Sequence, residues 1–282
     1  MIEHLTHERI DPKAWEERLA RSRAPLWYAR SAVLDIACPG WDALLHAESG
    51  AMMPLPWKRK FGIRYVHTPF LLQQLGPFAP VGGEGACTGL LSAIPKAFKY
   101  VDIGTALAAG PVEGFRLFER TNVVLPLGAD ATALRAAYST GHRRNVRKAE
   151  RSGVRIDNAL DPHHLEAFLV GSEQFRRWRI KPEALRTMAG LLHLCAAEGN
   201  GRFVGARYQG EVVAAAAFVE WQGRLIFLKG LSNAEGRTVG AMHALLDAVI
   251  AAHAGKDLLL DFAGYLRALA NRLPPVVRRL KP

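Results

Sequence analysis

One run in the second half of the chain leaves little choice of fold. GRFVGARY (201–208), EVVAAAAFVEW (211–221) and RLIFLKGLS (224–232) are rich in β-branched, aromatic and small apolar residues, and only Gln209-Gly210 and Gln222-Gly223 separate them. A two-residue connection ending in glycine joins antiparallel neighbours, because glycine accepts the positive φ that so tight a turn requires. The run therefore predicts a three-stranded meander. A helix is expected next, from about Arg237 to Ala254, and then DLLLDFAG (257–264), an apolar strand of the kind covered on both faces. Ahead of the meander, Asp161-Pro162 reads as a capped helix start with proline at the first helical position, and that helix is expected to run to about Phe175. Pro182 opens another, which Gly199 ends. The tail, YLRALANRLPPVVRRLKP, reads as a short helix and a closing strand.

The same rhythm occurs roughly 160 residues earlier. In GWDALLHAESGAMMPLPWKRKFGIRYVHTP the turn at Ser49-Gly50 stands opposite Gln209-Gly210, and Gly62 stands opposite Gln222-Gly223. CTGLLSAIPKA is then the helix and KYVDIG the strand, with Asp102 matching Asp261. A duplicated α/β (α+β) unit is the expectation, with two β-hairpin regions alike by chance as the alternative. The loop 67–88 has no counterpart in the second copy. Loops of that length inside compact domains tend to carry function or to move.

Composition sets bounds. The chain has 282 residues, 49% of them hydrophobic and 22% charged, which is enough for two domains with their own cores. Its formal charge of +11 favours anionic partners: nucleotide cofactors, nucleic acid, anionic envelope precursors or a membrane surface. Cys38, Cys87 and Cys195 are scattered among apolar residues without a CxxC pair, so buried reduced thiols are expected and no metal site. The first residues, MIEHLTHERIDPKAWEERL, are charged throughout, unlike a signal peptide, and no apolar run has the ~18 residues of a membrane span. A cytoplasmic protein is expected, with peripheral contact at a membrane face allowed by its charge.

YSTGHRRNVRKAERSGV (138–154) concentrates that charge. On a helix, Arg144, Arg147, Lys148 and Arg151 share one face, while Val146 and Ala149 point the other way. Ser139 or Thr140 can cap the helix start. Such a stripe either is a solvated face or binds phosphate through charge-assisted hydrogen bonds. In the first half, Lys58, Arg59, Lys60 and Arg64 surround Trp57 and Tyr65, and Gln73-Gln74 follow. Strand alternation sends Lys58 and Lys60 to one face and Arg59 to the other. This is either an edge protected by charge or a place for a phosphorylated or sugar substrate. Trp178, among Arg176, Arg177 and Arg179, belongs to an interhelical loop or to the lip of a cleft.

The order of elements fits the acyltransferase fold of the GNAT superfamily, and three motifs sharpen the likeness. Ser139, Arg143, Arg144, Arg147, Lys148, Ala149 and Gly153 match the form S-x-x-x-R-R-x-x-R-K-A-x-x-x-G, preceded by TNVVLPLG. LLLDFAG is similar to a strand ending in D-F-x-G. GRTVGAM is similar to the phosphate loop [Q/R]-x-x-G-x-[G/A], with Met242 in place of the last small residue. The chain thus resembles the Fem family of peptidoglycan peptidyltransferases, which carry twin GNAT domains with mixed, mostly antiparallel sheets.

The resemblance implies GNAT-like domains at 1–128 and 129–282, and an acyl-CoA pyrophosphate on backbone amides near Gly236, Arg237, Thr238 and Gly240. An aminoacyl-tRNA is the other possible donor. It further implies N-acyl transfer to an amine of an anionic small molecule or envelope precursor, with Arg144, Arg147, Lys148, Arg151, Lys58 and Gln74 as substrate contacts. Asp261 is the candidate for taking the amine proton, Tyr265 the candidate acid, and Lys229 a further candidate on the meander. A backbone N–H on strand 224–231 would polarise the acyl carbonyl. A non-catalytic anion-binding copy of the fold, or an RNA-binding protein using the basic helix, are the rivals.

Overall fold

The computed structural model describes residues 1–105, 112–116, 118 and 122–263, and the backbone of 278–280. Two compact units divide the chain, Met1–Arg120 and Thr121–Leu280.

The first unit contains β1 (Ile2–Leu5), α1 (Pro12–Ala20), α2 (Ser31–Ala37), β2 (Asp42–His46), β3 (Met52–Leu55), β4 (Trp57–Lys60), β5 (Ile63–His67), α3 (Ala86–Ser92) and β6 (Phe98–Asp102). Asp11 caps α1 by accepting from the N–H groups of Lys13 and Ala14, with Pro12 at the first position, as local chemistry favours. The expected repeat is visible here, with one break. β3 and β4 together occupy the place of a single middle strand, interrupted at Pro56. Proline has no N–H to give to a ladder, and Pro56 ends the run, whereas Pro54 keeps its place in β3 opposite Ala43. The result is two three-stranded sheets, β1-β2-β3 and β4-β5-β6. Leu44, Met53, Leu55, Val66, Leu90 and Phe98 belong to one core cluster that serves both.

The second unit runs β7 (Asn122–Pro126), α4 (Ala131–Ala136), α5 (Thr140–Arg151), β8 (Arg155–Asp157), α6 (Pro162–Val170), α7 (Glu173–Trp178), α8 (Pro182–Ala197), β9 (Gly201–Tyr208), β10 (Glu211–Trp221), β11 (Arg224–Ser232), α9 (Ala234–Val239), α10 (Ala241–His253), β12 (Leu259–Asp261) and β13 (Arg278–Leu280). These strands form a seven-stranded sheet in the order β13-β7-β12-β11-β10-β9-β8. β7, which precedes the expected junction at 128/129, pairs with β12 inside this sheet.

The meander lies where its turns put it. Gln209-Gly210 have φ of 51° and 89°, Gln222-Gly223 of 47° and 70°, and in the first unit Phe61-Gly62 of 51° and 79°. Positive φ at both central positions matches the twist of the flanking strands. β10 is buried on both faces, and its Ala214–Ala217 run is fully covered. Ala214, Ala216 and Phe218 belong to the cluster with Leu245, Leu246, Val249 and Ile250 of α10. Small side chains at the sheet centre let the helix layer approach closely.

Two expected helices prove to be two each. The one expected to run from Asp161 to about Phe175 stops at Val170, and Ser172 starts α7 by accepting from the Phe175 N–H. The one expected from Arg237 to Ala254 breaks at Gly240, whose φ of 77° no helix contains. A Cβ at Gly240 would stand 2.7 Å from the Asn145 carbonyl oxygen on α5, so close packing against that helix demands glycine here.

Candidate active site

β11 and β12 run parallel, but only through Arg224–Leu259, Leu225–Leu260 and Ile226–Asp261. Beyond Ile226, β11 continues to Ser232 with no partner strand on that side among the described residues. A bulge accompanies the parting. Ala217 pairs with Lys229 and Phe218 with Phe227, which leaves Leu228 as an extra residue on β11. Bulges bend the strand that carries them.

The gap opens into a cavity of about 530 Å³, contained in the second unit. One wall is the outlying half of β11, from Phe227 to Ser232. Gly236, Arg237 and Gly240 come from α9 and its end, Met242 and His243 from the start of α10, Arg144 and Asn145 from α5, and Gln174 and Trp178 from α7. The two short helices α9 and α10 offer different ends. Asn233 caps α9, accepting from the Gly236 N–H at 2.7 Å. No side chain among the described residues caps α10, which starts at Gly240 on the cavity. Its first N–H groups and its dipole therefore face the space where an anion would sit, with Arg237 and Arg144 beside it.

Lys229 is the unusual group in this wall. It is 4% exposed, and its Nζ stands 4.9 Å from the Trp178 ring centre and 5.3 Å from that of Phe175. Burial pushes its pKa down to about 8, because the charged form loses hydration. A neutral amine is thus within reach at mildly alkaline pH, beside a cation-favouring aromatic pair.

Behind the α10 start lies a buried imidazole pair. Nδ1 of His142 and Nδ1 of His243 are 2.7 Å apart, and His243 Nε2 is 3.1 Å from Asn145 Nδ2. Burial and the neighbouring His243 hold His142 down to about 4, so it is neutral. Tyr138 stacks edge-on against His142 and donates to Asp247, which also takes a two-pronged contact from Arg135 at 2.9 and 2.8 Å. This ladder ties α4 and α5 to α10 and fixes the rim where Arg144 and Asn145 project.

The structure thus brings together Lys229, Gly236, Arg237, Gly240 and Arg144 of the sequence candidates. Thr238 does not line the cavity; its hydroxyl donates to the Ala234 carbonyl within α9. Arg147, Lys148 and Arg151 lie on α5 away from the cavity lining, while Val146 and Ala149 are buried as expected. Asp261 is a correction. It is 2% exposed, accepts from Arg224 at 2.9 Å, from Asn122 at 3.0 Å and from the Ala263 N–H, and lines no part of the cavity. Those partners use its oxygens to lock β12 between β11 and β7. Tyr265 lies outside the described residues. Lys58 is exposed on β4 and Gln74 half-buried in the loop after β5, both in the first unit.

His142, His243, Asn145 and Gln174 carried no sequence signal; the two histidines meet across 101 positions. Trp178 is the lip of the cleft.

Residues 136–265 match the acetyltransferase (GNAT) domain family. No curated protein matches the chain in sequence. Among solved structures, FemX is similar at a TM-score of 0.64 and 12% identity, over 92% of this chain and 88% of that one. A conserved protein of unknown function from Bacteroides thetaiotaomicron is similar at 0.57 and 10%, over 95% of each chain. A tandem GNAT protein from the clavulanic acid biosynthesis pathway is similar at 0.50 and 14%, over 97% of this chain and 95% of that one. The chain therefore has the Fem-like tandem-GNAT fold, and residues 136–265 are the part that matches the acetyltransferase (GNAT) domain.

Proposed function

We propose that the protein is an N-acyltransferase that takes its acyl group from a coenzyme A thioester bound in the β11–β12 gap. The parting of β11 from β12 at Ile226, onto a cavity with an uncapped helix start at its floor, carries this reading. The pyrophosphate lies on the first N–H groups of α10, with Arg237 and Arg144 as charge-assisted partners. The pantetheine arm extends along the open edge of β11, as an added strand would, and places the thioester carbonyl against a backbone N–H there.

The amine nitrogen attacks that carbonyl, and the carbon–sulfur bond breaks. Neutral Lys229 takes the proton released by the amine, and its ammonium returns one to the departing thiolate, so the enzyme ends as it began. The acceptor is anionic, drawn by Arg144 and by Arg147, Lys148 and Arg151 further out on α5. An aminoacyl-tRNA ester offers the same phosphate chemistry and is the competing donor.

Calorimetric titration with acetyl-CoA, free coenzyme A and a nucleotide sugar tests the reading. Saturable binding of the thioester, weakened by Arg237→Ala, is the expected result. Coenzyme A binding without acyl transfer to any amine would make the chain a binding protein. Absence of binding by any coenzyme A species would remove this donor.

A further inference from the structure

The β4–β5 hairpin of the first unit carries a feature that acyl transfer does not use. Its tip is Phe61, 91% exposed and at φ 51°. The two hairpin turns of the second unit put glutamine at the same point, as Gln209 and Gln222. A bulky apolar residue in the left-handed region is an outlier, since asparagine, aspartate and glycine adopt it more readily. Here it also leaves the ring largely in water, with the Lys60 ammonium 5.3 Å from its centre. An exposed cation–π contact is a small return for an apolar ring at a turn, so a partner outside the chain gives the better reason for it.

The surroundings say what meets it. Lys58 pairs with Tyr65, Lys60 with Ile63 and Tyr65 with Tyr100, which places these side chains on one sheet face. Ile63 is 51% and Tyr100 61% exposed, and Lys58 and Lys60 are exposed beside them. The other face carries Arg59 and Arg64 toward the tip, and Val66 and Phe98 in the core further in. None of these four cations forms an ion pair with a carboxylate among the described residues. Apolar and aromatic groups at a protruding tip, with a collar of cations lacking carboxylate partners behind them, match the layering of an anionic bilayer surface. The ring enters the acyl boundary, tyrosine sits at headgroup level, and lysine and arginine meet the phosphates.

We propose that the β4–β5 hairpin docks the protein peripherally on anionic lipid bilayers, with Phe61 as the inserted residue and Lys58, Arg59, Lys60 and Arg64 as the headgroup contacts. Because its headgroup contacts are exposed cations, this binding is salt-sensitive; no helix among the described residues is long and apolar enough to cross a membrane. The inference is independent of the acyl-donor site, which lies in the other unit.

The test is co-sedimentation with vesicles of phosphatidylglycerol and phosphatidylcholine, against phosphatidylcholine alone. Wild type should bind the anionic vesicles and release them as salt is raised. Phe61→Asn should weaken binding by about 10-fold or more, the share of one buried aromatic ring. It should fold at least as well as wild type, because asparagine suits this φ, and should keep its thermal shift with coenzyme A. Each cation removed, as in Lys60→Ala, should weaken binding about 5-fold. Equal sedimentation of wild type and Phe61→Asn overturns the proposal. So does a wild-type dimer that Phe61→Asn dissolves, which would make the occupant a second copy, and so does binding of single-stranded RNA in place of vesicles.

Discussion

Replacing Lys229 by methionine should make the protein more stable and catalytically inert. The native amine is 4% exposed, and burial lowers its pKa from 10.5 to about 8. A tenfold loss of proton affinity is worth about 1.4 kcal/mol, so keeping the charged form buried costs roughly 3 kcal/mol below pH 8. Its contacts, those with the Phe175 and Trp178 rings among them, return part of that, about 1 kcal/mol from the rings alone. Methionine fills the same slot without a charge, so Lys229→Met should gain up to about 2 kcal/mol at pH 7. The sign follows from proton counts. Between pH 8 and 10.5 the unfolded lysine binds a proton that the folded one has lost, so wild-type stability rises with pH and the advantage of methionine fades. Urea unfolding of both proteins at several pH values reads the difference directly, with all other titrations common to both. Acyl transfer by wild type should rise through pH 8, and the variant should lose at least about 100-fold. A variant less stable than wild type at pH 7, or a stability difference flat in pH, would refute the argument that burial governs this amine.

Asp261→Ala should loosen the sheet where β12 lies between β7 and β11 and leave the chemistry intact. It strands Arg224, at a cost of roughly 3 kcal/mol by chemical denaturation, and coenzyme A binding by the folded fraction should be unchanged. Arg144→Ala should weaken coenzyme A binding about 10-fold by calorimetry, whereas Arg151→Ala, outside the cavity, should leave it unaltered. Gly240→Val drives a side chain into the Asn145 carbonyl and should lower stability by about 2 kcal/mol or more, read as a fall in Tm. As pH drops from 6.5 toward 4, the unfolded state gains a proton that buried His142 refuses, so stability should decline over that window and decline less in His142→Phe.

Much of the framework was legible because it is local. Strand limits at 201–208, 211–221 and 224–232 follow from Gln-Gly turns whose backbone demand is met within two residues. The capped starts at Ser139 and Asp161 are legible for the same reason. What escaped depends on distant partners. The break at Gly240 is imposed by the backbone of α5, nearly a hundred positions away. Asp261 looked like an available carboxylate at a strand end until Arg224 and Asn122 closed on it. The imidazole pair of His142 and His243 depends on two helices that only the tertiary fold brings side by side. Lys229 was a further candidate beside Asp261 and Tyr265; its burial beneath Phe175 and Trp178 is what distinguishes it.

The parallel pairing in the first unit has a consequence for ligand stoichiometry. There β5 and β6 are of equal length and stay paired from Arg64–Phe98 to His67–Asp102, so neither strand has spare length for a pantetheine arm to run along. Two halves built on one plan thus offer, among the described residues, a parted strand pair only in the second. Saturation should come at one equivalent per chain, and the twin is released to evolve toward other duties.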